Sequence, residues 1–135
     1  MTSKINYLGD LRTESTHVQS GTIIRTDAPT DNHGKGELFS PTDMVANSLG
    51  TCIVTTMAIK ALAMGIELKG TEAEVTKIIV SDPRRRIGEI KVAVHFPKLE
   101  ISEKDRTILE KTALACPVGA SLSPALVQTI SFDWK

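Results

Sequence analysis

Cys52 and Cys116 are the only cysteines in the 135-residue chain, and together they could form a two-thiol redox site. A thiolate can attack the O–O bond of a peroxide, become a sulfenic acid, and condense with a second thiol before further oxidation. The two cysteines are far too distant in sequence for a CxxC pair. Folding must therefore bring their Cα atoms within about 7 Å if a bridge is to close. The competing reading is two buried thiols acting as small hydrophobes, an ordinary use of free cysteine. In a reducing compartment both would rest as thiols, which favours a transient disulfide over a permanent structural one.

The surroundings of Cys52 can be read from helical spacing. Ser48, Thr55 and Thr56 lie at i−4, i+3 and i+4, so they share its face, and their hydroxyls could donate to a thiolate. Equally, such hydroxyls bond their own helix's carbonyls. Cys52 is mid-helix, too far from the N-terminus for the helix dipole to lower its pKa appreciably. An activating group must come from another segment. A metal on Cys52, Cys116 and one of His17, His33 or His95 lacks any ligand pair at metal-site spacing, so no metal is expected. Gly34-Lys35-Gly36 has no Gly-Lys-Ser/Thr ending and no preceding buried strand, which removes a phosphate-loop reading.

Composition sets the frame for these residues. The length suits one domain, residues 1–135. Sixteen Lys plus Arg balance sixteen Asp plus Glu, and aromatics are scarce, so the basic footprint and stacking surface of a nucleic-acid binder are missing. Met1 to Gly9 has neither the basic start nor the apolar stretch of a secretory signal, and the expected location is cytoplasmic.

The predicted elements are those of an α+β fold. Tyr7 to Asp27 reads as two strands joined at Gln19-Ser20-Gly21, an N-terminal hairpin, followed by a Gly- and Pro-containing loop to Ser40. Ser40-Pro41-Thr42-Asp43 opens a helix with a hydroxyl cap, a first-turn proline and a carboxylate at the positive end of the dipole. It should run to Met64, with Gly65 ending it. Lys60 is the only charge between Met44 and Ile66, so this helix, roughly 35 Å long at about 1.5 Å per residue, belongs at the centre of the molecule. One small chain would struggle to cover it on every side, and a wrapped homodimer would solve that. Asn47, Ser48, Gly50, Thr51, Thr55, Thr56 and Lys60 interrupt the unbroken apolar stretch that a membrane span needs. Thr71–Ser81 and Ile87–Phe96 alternate apolar and polar residues around Asp82-Pro83-Arg84-Arg85-Arg86, a second hairpin whose basic tip reads as a solvated loop. Ser102 caps a helix that points Cys116 inward. Pro117 ends or re-aims it, Val118–Leu126 makes a second helical piece, and Val127–Trp134 closes as a strand.

Ser40-Pro41-Thr42-Asp43 leading into Ala46-Asn47-Ser48-Leu49-Gly50-Thr51-Cys52, and later Ala115-Cys116-Pro117-Val118, resemble the OsmC/Ohr family of osmotically inducible and organic hydroperoxide resistance proteins. The resemblance covers nearly the whole chain. It implies an intertwined homodimer with long central helices between sheets and two thiol sites at the dimer interface. It further implies Cys52 as the peroxide-attacking thiol, Cys116 as the resolving one, an organic hydroperoxide as substrate, and a dithiol or lipoyl-type reductant, with no metal or dissociable cofactor. In the hydroperoxide branch an arginine and a glutamate assist; they fall at Gln19 and Thr42 here, so neither ion is kept. Gln19 offers only a neutral hydrogen bond, a weaker effect than a cation. Arg12, Arg25 or His17 could replace the arginine, with Arg12 preferred, and Asp43 could replace the glutamate. The alternative is a redox-sensing or apolar-ligand-binding protein with little peroxidase activity.

Overall fold

Hydroxyl and β-branched residues dominate the first part of the chain, a composition suited to pleated strands, and the computed structural model, which describes Met1–Lys135, folds it as three. β1 (Ser3–Gly9), β2 (Arg12–His17) and β3 (Ile23–Asp27) form an antiparallel sheet in that order. The sequence predicts two of these strands and the turn between them, where the His17 N–H bonds the Thr22 carbonyl at 2.8 Å. β1 is an addition to that expectation. Its side chains are almost all exposed, so no buried face leaves a period in the sequence. Its reversal into β2 uses Asp10 and Leu11 at φ of 53° and 61°, without the Asn-Gly pair that usually marks such a turn.

The chain forms two compact units, residues 1–45 and 46–135. The first holds this sheet, a short 3-10 turn at Thr30–Asn32 and the entry to α1 (Pro41–Ala63). That entry is a reciprocal cap: the Asp43 N–H donates to Ser40 Oγ at 3.0 Å, and the Ser40 N–H donates to Asp43 Oδ2 at 2.9 Å. At the far end Gly65, at φ 75°, lets the Ile66 N–H reach the Ala61 carbonyl at 2.8 Å and the Gly65 N–H reach that of Leu62 at 3.1 Å. Both ends of α1 are thus closed by local chemistry.

In the second unit β4 (Glu72–Val80) pairs antiparallel with β5 (Arg86–His95), and β6 (Val127–Asp133) pairs parallel with β5 on its other side. Ile90, Val92 and Val94 alternate inward along β5, and Leu49, Ile53, Met57 and Ala61 recur every four residues along α1. These two rows, with Phe96 and with Leu109 and Ala113 of α2 (Glu103–Leu114), make the core. Ser102 caps α2, its side chain accepting from the Asp105 N–H. α3 (Pro117–Ser121) is shorter than the sequence predicts. Pro124 disfavours helical backbone at Ser123, and residues 122–126 run as a loop into β6. By length and composition α1 could cross a bilayer, but its Leu49–Ala61 row is enclosed by protein. Its remaining surface is not central in the single chain, and Ile59 and Leu62 are exposed.

Gly50 sets how closely α1 approaches the sheet, since a Cβ there would lie 2.6 Å from Val75 Cγ2. Gly50→Val should destabilise by about 2 kcal/mol through overpacking in urea unfolding. The double variant with Val75→Ala should lose less than the sum of the two single changes.

His95 ties the sheet across its width: Nδ1 is 3.2 Å from Asp133 Oδ2 on β6, and Nε2 is 3.6 Å from Glu74 Oε2 on β4. The Asp133 bond, helped by the nearby Glu74 charge and opposed by desolvation, raises the imidazole pKa. A raised folded pKa means that the proton is held more tightly when folded, so this contribution is full below the unfolded value and fades as pH rises through the folded one. The urea midpoint should accordingly decline on passing upward from about pH 6, and His95→Gln should flatten that part of the profile.

Candidate functional site

The first N–H groups of any helix lack intrahelical partners. In α3 they meet sulfur. Pro117 occupies the first position, where a missing N–H costs nothing, and Cys116 is the cap: its backbone is extended (φ −65°, ψ 145°), and its Sγ accepts from the Gly119 N–H at 3.3 Å. A thiol stands where serine or aspartate usually caps. The neighbouring Val118 N–H stabilises the anion of the other sulfur, that of Cys52. Cys52 and Cys116, both free thiols, also influence each other's ionisation.

Each thiol is delivered by a different helix. Cys52 lies one residue before Ile53 of the buried α1 row and is itself only half-buried. Cys116 ends the inward face of α2 that carries Leu109 and Ala113 and is 1% exposed, so a reagent from solvent meets Cys52 first. Among the hydroxyls that share a helical face with Cys52, Thr56 reaches it, with Oγ1 3.8 Å from Sγ. Thr55 instead lines an open groove of about 240 Å³ formed by Gly50, Thr51 and Val54 of α1 with Ala73 and Val75 of β4. Neither cysteine lines that groove.

The two thiols are electrostatically unequal. Burial pushes the Cys52 thiol up, but the Val118 N–H, the Thr56 hydroxyl and the Cys116 thiol each stabilise its anion, and together they hold it below its ordinary value. Burial dominates at Cys116: the Gly119 N–H lowers it, yet the bond to Cys52 and the charge of a Cys52 anion add to the upward push. The arrangement suits one thiolate beside one thiol.

The remaining predicted residues have other engagements. Arg12 pairs with the buried Asp27 at 3.4 Å and with Glu37; these partners, the Glu37 bond foremost, raise the guanidinium pKa. Arg25 pairs with Glu14 at 3.0 Å, and His17 Nδ1 lies 2.6 Å from Ser20 Oγ within the β2–β3 turn. Gln19 is exposed in that same turn. Asp43 closes the α1 cap, and Thr42 Oγ1 is 3.2 Å from Ser40 Oγ. The groups that lower Cys52 are all neutral. Val118 and Gly119 are the residues beside the thiols that side-chain reasoning passes over, because their backbone N–H groups, not their side chains, meet the sulfurs. The available signal is Cys-Pro-x-Gly, a capping side chain followed by proline at the first helical position.

Thr56→Val keeps the shape and removes the hydroxyl. The pH midpoint for alkylation of Cys52 should rise by roughly half a unit, while Thr55→Val should leave it in place. Iodoacetamide labelling rates across pH, followed by mass spectrometry of the Cys52 peptide, give the comparison.

Residues 34–131 match the family model described as OsmC-like protein. The structure superposes with a TM-score of 0.92 on a protein from Psychrobacter arcticus 273-4 provisionally described as an osmotic stress induced and detoxification response protein, at 48% identity over 98% of this chain and 95% of that one. An organic hydroperoxide resistance protein OsmC from Legionella pneumophila shares the fold at a TM-score of 0.75 and 14% identity, covering 98% of this chain and 97% of that one. The organic hydroperoxide resistance protein OhrB of Bacillus subtilis does so at 0.71 and 16%, covering 98% of each chain. No curated protein matches the sequence. A thiol pair joining the long helix to a Cys-Pro helix start, on an α+β frame of two three-stranded sheets, thus coincides with a family match over most of the chain: this protein belongs to the OsmC-like family.

Proposed function

We propose that the protein is a thiol peroxidase that reduces organic hydroperoxides to alcohols, with Cys52 attacking and Cys116 resolving. The observation that carries this reading is a half-buried thiol on α1 beside a buried thiol that caps α3, the first lowered and the second raised. The Cys52 thiolate attacks the terminal oxygen of ROOH, and the O–O bond breaks. The leaving alkoxide takes a proton to become ROH, while sulfur is oxidised to the sulfenic acid. The Cys116 sulfur then attacks the Cys52 sulfur and gives up its proton; hydroxide leaves with that proton as water, and the disulfide remains. A dithiol of the lipoyl or dithiothreitol class reduces it by two thiol–disulfide exchanges and is itself oxidised to the cyclic disulfide. The printed descriptions of relatives as hydroperoxide resistance and detoxification proteins support this reading.

The working unit in this proposal is a cytoplasmic homodimer, supported by the exposed Ile59 and Leu62 of α1, an apolar surface that a second copy would cover. One feature favours a slower, redox-sensing role: Gln19 and Thr42 stand where the resemblance to the hydroperoxide branch places an arginine and a glutamate. The rate separates the two readings.

Stopped-flow reduction of cumene hydroperoxide with dithiothreitol as reductant tests the proposal. Wild-type protein should turn over. Cys52→Ser should consume no peroxide, and Cys116→Ser should consume one equivalent, accumulate a dimedone-reactive sulfenic acid and stop. Absence of turnover in a protein whose Cys52 stays unmodified by peroxide would sink the reading.

A further inference from the structure

Along β6 the residues Gln128, Ile130 and Phe132 share one face by the two-residue period of a strand, and Ile130 and Phe132 pack against the core. Gln128, at the head of this row, is itself exposed, yet its amide is directed to α3 rather than to water alone. Its Nε2 donates to the Gly119 carbonyl at 2.9 Å, an oxygen that also takes a long 3.4 Å bond from the Leu122 N–H. On the other side of the same residue the Gly119 N–H donates to Cys116 Sγ. A Cβ on Gly119 would lie 2.9 Å from Gln128 Oε1 and 3.3 Å from Cys116 Sγ. Amide, glycine and sulfur therefore fill one another's space.

We infer that Gln128 is a positioning residue for the dithiol: by holding the Gly119 carbonyl it fixes the first turn of α3, whose N–H groups hold the two sulfurs. A helix of five residues has few bonds of its own, so an external clamp on its third residue sets the aim of the Val118 and Gly119 N–H groups. Gln128 acts through the backbone and touches neither sulfur. Its purpose rests on the proposed dithiol chemistry, but its effect on the resting thiols does not.

The test compares Gln128→Met, which keeps the bulk and removes the amide, with Gly119→Ala, which pushes the amide and the Cys116 sulfur apart. Both should raise the pH midpoint of Cys52 alkylation in reduced protein. At fixed pH below that midpoint labelling should slow about fivefold, the factor that one neutral hydrogen bond carries. Because both changes act on one linkage, the double variant should slow less than the product of the two single factors. Thr129→Val, whose hydroxyl lies 2.6 Å from Glu89 Oε2 on the opposite face of β6, should leave the midpoint where it is. Circular dichroism and melting temperature monitor the fold. An unchanged midpoint in Gln128→Met, whether or not its melting temperature falls, overturns the inference. Labelling needs no peroxide, so a wild-type protein without turnover would remove the peroxidase reading while the midpoints still judged Gln128.

Discussion

Two N–H groups at the start of a five-residue helix, without partners inside that helix, meet the only two sulfurs of cysteine in the chain. Without them Cys52 would be a half-buried thiol whose anion burial disfavours, and Cys116 would be an ordinary core sulfur. The rest of the second unit can be understood as the means of bringing both sulfurs to those donors. Pro117 gives up an N–H that had no partner in any case and fixes the φ with which α3 begins. α2 carries Cys116 into the core through the Leu109–Ala113 face, and the buried row of α1 fixes the rotation at which Cys52 arrives.

That rotation is strongly determined. Leu49, Ile53 and Met57 are fully enclosed, and burial of such a side chain is worth about 1.5–3 kcal/mol. Turning α1 far enough to withdraw Cys52 from α3 would expose all three, a cost well above the roughly 1 kcal/mol of any single hydrogen bond at the thiols. The apolar row therefore decides where the sulfur sits, and the hydrogen bonds decide its charge. Gly50, on the same buried side, lets the helix lie close enough to β4 for Val75 to occupy the space of a side chain.

Much of this could be read in the sequence because it depends on local chemistry. The Ser40–Asp43 cap, the Gly65 stop, the second hairpin and the Ser102 cap each leave a pattern within a few residues, and each stands in the structure at or near its expected place. β1 left no such pattern, because an exposed strand has no buried period. α3 was overextended because Val118–Leu126 looks helical until the effect of Pro124 on Ser123 is weighed. The thiol pair was legible as two residues but not as an arrangement. Reading ahead for charged or hydroxylic side chains pointed to Arg12, Asp43 and Thr56, of which Thr56 stands beside Cys52, whereas Val118 and Gly119 meet the sulfurs through backbone that any residue but proline could supply. Asp43 carries the capping role that its place in Ser40-Pro41-Thr42-Asp43 predicts.

Activation by neutral donors has a chemical consequence. A full charge about 4 Å from the sulfur would interact with it by roughly 4 kcal/mol at an effective dielectric constant of 20, several times the effect of one N–H. Cys52 is lowered by three neutral partners against the opposing pull of burial. Nucleophilicity falls as a thiol's pKa falls, and the best attacking thiol titrates near ambient pH. A strongly lowered sulfur would be fully ionised but intrinsically less reactive; one left to burial alone would be reactive but seldom ionised. Each neutral donor therefore trades less intrinsic reactivity for ionisation than a cation in its place would. Because Cys116 is one of its three partners, the shift also depends on that thiol keeping its proton: whatever ionises Cys116 removes a donor and adds a like charge beside Cys52.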